Sequence, residues 1–181
     1  MPSDDHIAEH RATVNPYTAT DILAILRERH WLSADPSPGQ LAWCERAAAL
    51  LGHHVNDAAG LSGLLQLVFA YDAPQILKSP DSHAVLTRYA ARDVIRQLAV
   101  LLDPEPFDSD RFKDVVTHLK ETLEVRGRDL FHPLRLALAG RAGEGELDRV
   151  ILLLDDASVL PFAVPVKSVR ARVLEFCAAL G

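Results

Sequence analysis

The sequence predicts an all-α fold, a helical bundle in two packed subdomains. The chain has 181 residues, of which 49% are hydrophobic and 24% charged, a balance typical of globular proteins with a buried core. Apolar residues recur at three- and four-residue intervals, whereas no stretch alternates long enough for a convincing strand. We expect a flexible N-terminal segment over 1–19, a first helical subdomain over 20–103 and a second over 104–181.

The first two helices are predicted from their ends. The first begins near Thr20, which can cap it, and ends around Trp31. The second follows Ser37, has Pro38 at its first position and closes at Gly52 as a C-terminal cap. The first helix places apolar residues inward, at Ile22, Leu23, Ile25 and Leu26.

Two further helices complete the first predicted subdomain. A dense apolar run over 61–71 is interpreted as a core helix because Leu, Gln and Ala dominate it. Over 81–102, apolar residues recur every three or four positions, which predicts the longest amphipathic helix, capped by Asp81 or Ser82.

Three arginines in this long predicted helix form a candidate RNA-binding stripe. Arg88, Arg92 and Arg96 are spaced by four residues, so on one helix they would share a face able to follow a phosphate backbone. An ordinary solvated helix face is the alternative interpretation.

The second predicted subdomain follows an exposed connection over 103–110. This connection carries two prolines and four acidic residues and no base. The next helix is capped by Asp108 or Ser109, and Gly127 suits its end. Short helices are predicted over 133–139, 146–154 and 166–180.

The segment PLRLALAG carries the most information about function. Pro133 suits the first turn of a helix, which would place Arg135 in that turn as well. A cation there opposes the helix dipole and needs a carboxylate or a phosphate beside it. One interpretation is a buried arginine that ties down loop carbonyls or pairs with Asp129 or Asp148. The other interpretation is an arginine that contacts nucleic acid.

The stretch RGRDLFHPLRLALAGRAGEGELDRVILLLD over 126–155 resembles the C-terminal anticodon-binding domain of bacterial class I glutamyl-tRNA synthetases. In that family a PLRxALxG segment precedes a short loop and a Leu-rich helix. The helical layout from about residue 31 onward is compatible with that two-part, all-helical domain. The resemblance implies that nucleotide bases contact Arg135, Glu144, Gly145, Leu147 and Asp148. A further basic position of the family falls near His54.

The resemblance also implies a noncatalytic module. A class I synthetase needs a nucleotide-binding fold with HIGH-like and KMSKS-like motifs, and neither motif occurs in this sequence. We expect binding of tRNA or another structured RNA, weak for the chain alone, with a separate synthetase or another protein chain as a partner. Glu144 is negative and Gly145 stands where the family commonly has proline. These departures keep open the alternative of a helical protein-interaction module that has lost RNA binding.

Charge and composition bound the partners further. The chain has 19 Lys and Arg against 25 Asp and Glu, a net charge of −6, so any RNA site must be local. Cys44 and Cys177 are too few for a disulfide framework, and the histidines lack metal-ligand spacing. We therefore expect no metal or cofactor. A hydrophobic signal stretch and a membrane-length apolar run are both absent from the sequence, and we expect a cytoplasmic protein without membrane contact.

Overall fold

The computed structural model describes residues 14–104 and 106–181, and its regular elements over these residues are all helical. This confirms the predicted fold class. Residues 1–13 of the segment predicted to be flexible lie outside the described residues. The α-helices are α1 (Ala19–Glu28), α2 (Pro38–Leu51), α3 (Ala58–Phe69), α4 (Ala73–Leu77), α5 (Pro80–Leu86), α6 (Ala91–Leu101), α7 (Ser109–Leu123), α8 (Arg128–Ala139), α9 (Gly145–Ile151), α10 (Leu154–Ser158) and α11 (Val169–Leu180). A 3₁₀ turn covers Gly52–His54. None of the helices described is long and apolar enough to pass through a bilayer.

Helices from both predicted subdomains contribute to one hydrophobic core. Helix α6 packs against α7, α8 and α11, and α9 packs against α2 and α3. Trp31 stacks on Phe69 with ring centroids 4.6 Å apart, while Trp43 and Phe162 meet the Phe69 ring edge-on. Contacts therefore cross from 20–103 to 104–181 within the core, and the division near residue 103 stays a prediction.

Local capping sets the ends of the first two helices. Thr18, rather than the predicted Thr20, is the N-cap of α1, and Asp21 completes a capping box with it. Such a box satisfies backbone amides that have no partner within the helix. Helix α2 follows the N-cap Ser37 with Pro38 at its start, as predicted, and ends at the residue before Gly52.

The single long helix predicted over 81–102 is wrong. The chain forms α5 and α6 instead, joined by a turn in which Ala90 has a left-handed backbone with φ of 60°. The hydroxyl of Thr87 donates to the Ala84 carbonyl at 3.0 Å, a local hydrogen bond of the kind that competes with helix propagation. The predicted caps lie inside α5, whose N-cap is Ser79. The candidate arginine stripe is consequently broken between its first and second members.

The helix that carries the PLRLALAG segment is longer than predicted. Helix α7 ends before Glu124, which has a left-handed φ of 54°, so Gly127 precedes α8 instead of ending α7. Because α8 begins at Arg128, Pro133 lies inside the helix and Arg135 lies in its second half. The predicted conflict between Arg135 and the positive end of the helix dipole is therefore wrong.

The connection over 103–110 is anchored rather than fully exposed. Phe107 is buried, and its amide donates to Oδ2 of Asp155 at 2.6 Å. The other oxygen of Asp155 accepts a hydrogen bond from the Val169 amide at 2.9 Å. The carboxylate of Asp155 thus holds both the connection and the first turn of α11.

The helix predicted over 146–154 forms as two shorter helices, α9 and α10.

Candidate nucleic-acid interface

Arg135 joins α8 to the loop that precedes α9. Its Nε donates to Oδ1 of Asp148 at 2.8 Å and its Nη2 donates to Oδ2 at 3.0 Å. Its Nη1 donates to the Gly143 carbonyl at 2.8 Å. Bidentate, charge-assisted pairs of this kind fix geometry as well as adding stability. We call Arg135, Asp148 and Gly143 the loop clamp. Of the two carboxylates proposed from the sequence, Asp148 is the partner of Arg135.

The clamp is close to the surface but largely closed to solvent. The side chain of Arg135 is 10% exposed and that of Asp148 is 23% exposed. The guanidinium carbon also lies 4.8 Å from the centroid of the Phe131 ring, within the range of a cation–π interaction. Arg135 therefore positions the loop and Phe131, with little of its own surface left for a ligand.

A groove of about 380 Å³ opens beside the loop clamp. Helices α7, α8 and α9 and the 3₁₀ turn after α2 form its walls. Apolar rings line its interior, and the cationic side chains of α7 and α9 are exposed at its edge. The residues that line this α8–α9 groove include His54, Phe112, Lys113, Phe131, Gly145 and Arg149.

Three of the residues selected from the sequence meet at the α8–α9 groove. His54, in the 3₁₀ turn, is brought to Gly145 and Asp148 of α9 although it is distant in sequence. Gly145 is the first residue of α9, and a Cβ added there meets nothing within 4 Å. A proline fits the first position of a helix, so the glycine is not required by the packing of this loop.

Two neighbouring residues have different environments. Glu144 is the exposed N-cap residue of α9, and its side chain makes no capping hydrogen bond. Leu147 is completely buried in the core, so its side chain supports α9 from within and has no surface facing solvent.

The three arginines of the predicted stripe lie in two places. Arg92 and Arg96 are exposed on α6, where Nη1 of Arg96 is 4.0 Å from Oδ1 of Asp93. Arg88 lies in the turn before α6, and its Nη1 is 2.8 Å from Nδ1 of His132 on α8. The contribution of Arg92 and Arg96 to RNA binding stays a prediction, whereas Arg88 belongs spatially to the surface of α8.

Sequence reasoning did not select Lys113 or Arg149 as site residues. Arg149 directly follows Asp148, for which the family resemblance implies a base contact. Its position in the sequence could therefore have indicated a place near the same site. Lys113 lies on the exposed face of α7, and only the tertiary arrangement places it at the groove. Over residues 14–104 and 106–181, no group of three or more His, Cys, Asp or Glu side chains is placed to hold a metal ion.

The family model described as "Anticodon binding domain" matches residues 12–160 of this chain. The chain belongs to the anticodon-binding domain family. The resemblance predicted from the PLRLALAG segment is thereby confirmed. Both the loop clamp and the α8–α9 groove lie within the matched part of this anticodon-binding domain, whereas α11 lies beyond it.

Curated relatives of this anticodon-binding domain are glutamate–tRNA ligases. It is 27% identical over 126 residues to glutamate–tRNA ligase 2 of Syntrophus aciditrophicus (strain SB), a match that covers 69% of this chain and 25% of that protein. It is 28% identical over 130 residues to the glutamate–tRNA ligase of Geobacillus thermodenitrificans (strain NG80-2), covering 71% and 26%. A match to glutamate–tRNA ligase 1 of Brucella ovis (strain ATCC 25840 / 63/290 / NCTC 10512) is 39% identical over 62 residues, covering 34% and 14%.

The anticodon-binding domain spans about a quarter of the length of the first two relatives. It has no significant match among solved structures.

Proposed function

We propose that this anticodon-binding domain binds tRNA, or another structured RNA, at the α8–α9 groove and does so without catalysing aminoacylation. The observation that carries the proposal is the loop clamp, which holds Gly145 and Asp148 beside a groove with Phe131 in its wall. The rim of the same groove carries the exposed cations Lys113 and Arg149. This combination offers both a stacking surface and positive charge to one ligand.

The chemistry of the groove suits single-stranded RNA. Sequence-specific RNA recognition uses unstacked bases that pack on aromatic rings or on arginine planes. Phe131 is partly exposed and has Arg135 and Lys120 near its ring, with Nζ of Lys120 5.8 Å from the centroid. We infer that Phe131 is the stacking platform and that Arg135 holds it in place.

The charge of the chain limits the affinity of this site. Its net charge is −6, and Glu144 lies exposed at the start of α9. Two phosphates neutralised by Lys113 and Arg149 would give a logarithmic salt slope of about −1.4 for a single strand. Binding by this domain alone is therefore weak and salt-sensitive, and a separate synthetase or another protein chain would supply the remaining contacts.

A paired substitution at the groove tests the proposal. We expect the purified chain to bind glutamate tRNA at low salt, and Lys113→Ala/Arg149→Ala to weaken that binding by roughly tenfold, or about 1.4 kcal/mol. Fluorescence anisotropy at two salt concentrations measures both effects. The matched control is Arg27→Ala/Lys78→Ala, which removes the same two kinds of charge from exposed positions on α1 and next to α4.

Equal losses in the two double variants would show that only net charge matters and would overturn the groove as the binding site. Absence of binding by the unmodified chain at low salt would overturn the function itself. That second result would revive the protein-interaction module, which the family match does not favour.

A further inference from the structure

Two arginines lie near His132 of α8, and neither they nor His132 line the α8–α9 groove. Arg88 reaches His132 from the turn between α5 and α6, with Nη1 2.8 Å from Nδ1. Arg128 lies four residues before His132 on α8 and therefore on the same helix face. Phe131 lines the groove and His132 does not, so adjacent residues of α8 serve two different surfaces. We call Arg88, Arg128 and His132 the His132 cluster.

The contact with Arg88 fixes the protonation of the His132 ring. A guanidinium has donors and no acceptor, so Nδ1 must accept the hydrogen bond and the neutral ring carries its proton on Nε2. Burial, followed by the charges of Arg88 and Arg128, holds the pKa of His132 below its usual range. The carboxylate of Glu144 acts in the opposite direction and Arg135 in the same direction. Among the described residues these four are the charged groups that act on the ring.

The positive charge of the cluster is not balanced by an ion pair. Neither Arg88 nor Arg128 forms a salt bridge with a carboxylate within the described part of the chain. Arg135 is already neutralised by Asp148 in the loop clamp. Two arginines therefore face a neutral imidazole at the protein surface, an arrangement that an anion would stabilise.

We propose that the His132 cluster is a phosphate-binding site in which Arg88, Arg128 and a protonated His132 hold one phosphate of the RNA backbone. The inference rests on the proposed RNA binding. On binding, a phosphate oxygen accepts the hydrogen bond of Arg88 and frees Nδ1. Nδ1 then takes one proton from solvent, and the imidazolium donates through Nδ1–H to the phosphate. The complex therefore holds one proton more than the separate protein and RNA.

Proton uptake gives the binding a defined pH dependence. In the free protein His132 is neutral at pH 7, and a bound phosphate raises its pKa because an anion stabilises the imidazolium. Affinity consequently increases as the pH falls between the bound and free pKa values, by at most about tenfold per pH unit for one proton. The dependence disappears when the imidazole is removed.

Binding of glutamate tRNA at about pH 6 and about pH 8, at constant ionic strength, tests the inference. Because His54 lines the α8–α9 groove, the comparison uses the His54→Gln chain, which is expected to bind several-fold more tightly at the lower pH. Adding His132→Gln to that chain should make the affinity nearly equal at both pH values. The control is His118→Gln, which removes an exposed histidine of α7. His118 lies roughly 200° around the helix axis from Lys120, the α7 residue near Phe131. This variant should keep the full ratio of the affinities at the two pH values. Arg88→Gln should weaken binding at the lower pH, and it provides a second variant in case His132→Gln is unstable.

The outcomes separate this inference from the proposed function. Binding of tRNA with an unchanged pH ratio in His132→Gln overturns the phosphate site and leaves the groove intact. If tRNA does not bind at either pH, the NMR titration of the His132 ring with inorganic phosphate decides. A raised pKa of His132 then supports a site for free phosphate instead of the RNA backbone, and an unchanged pKa overturns the site altogether.

Discussion

Two arginines are buried within residues 14–104 and 106–181, and they have different hydrogen-bond partners. Arg135 pairs with the carboxylate of Asp148 near the surface. Arg172 on α11 is fully buried, and its guanidinium donates to backbone carbonyls. The acceptors are Lys167 at 3.0 Å, Leu67 at 2.9 Å, Leu138 at 3.1 Å and Val68 at 2.6 Å. Arg135 holds a surface loop in place, and Arg172 donates hydrogen bonds to carbonyl groups in the core.

The acceptors of Arg172 explain why a cation is stable there. Leu67 and Val68 lie in the last turn of α3, and Leu138 lies in the last turn of α8. Carbonyls at a helix C-terminus lack partners within the helix and carry partial negative charge. Arg172 satisfies them from α11, and its guanidinium carbon lies 4.6 Å from the centroid of the Tyr71 ring. Burial lowers the pKa of Arg172 and raises that of Tyr71.

Fold stability and the proposed RNA contact therefore depend on separate parts of the chain. The loop clamp lies within the matched family range, beside the groove. Arg172 lies beyond residue 160, the end of that range, but it joins α11 to the ends of α3 and α8. Loss of Arg172 should therefore strongly destabilise the whole domain, whereas loss of the clamp should mainly alter the loop.

The largest expected effect is that of Arg172→Ala. The substitution leaves several buried carbonyls without donors and opens a cavity, so we expect the free energy of unfolding to fall by about 3 to 5 kcal/mol. Urea denaturation measures the loss. Arg27→Ala, at an exposed position of α1, should change it by less than about 0.5 kcal/mol. Similar losses in the two variants would contradict the role assigned to Arg172.

A smaller effect is expected when the loop clamp is broken. Asp148→Asn keeps the shape of the side chain but removes its charge and one acceptor, so we expect a loss of about 1 to 2 kcal/mol in unfolding free energy. A double-mutant cycle with Arg135→Ala and Asp148→Ala should give a coupling of about 1 to 3 kcal/mol. Additive losses in that cycle would show that the two side chains act independently and that no clamp exists.

Strong local signals allowed parts of the fold to be predicted. Ser37 followed by Pro38 predicts the start of α2, and the pair Asp108 and Ser109 predicts the start of α7, where Asp108 is the N-cap, because capping depends on residues adjacent in sequence. The break between α5 and α6 contains neither glycine nor proline. It depends on the Thr87 hydroxyl and on a left-handed Ala90, which no periodic pattern of apolar residues reveals.

The candidate site, like the fold, could be predicted only where its residues lie close together in the sequence. The sequence offered Asp148, beside Asp129, as a partner for Arg135 because an arginine in the first turn of a helix was expected to need a nearby carboxylate. The groove also requires His54 and Lys113, which come from distant elements and meet only in the folded chain. Arg172 has no local signal at all, since its partners are backbone carbonyls contributed by three other regions of the chain.

If RNA binds as proposed, it contacts the loop over 143–149 and not the part of α11 around Arg172. Backbone amide shifts of the ¹⁵N-labelled chain, recorded during titration with an RNA of the glutamate tRNA anticodon stem-loop, test it most directly. We expect shifts to concentrate over 143–149 and at Phe131, with none over 167–175. Shifts confined to 167–175, or unchanged shifts over 143–149 despite RNA binding, would contradict the proposed RNA contact at the loop.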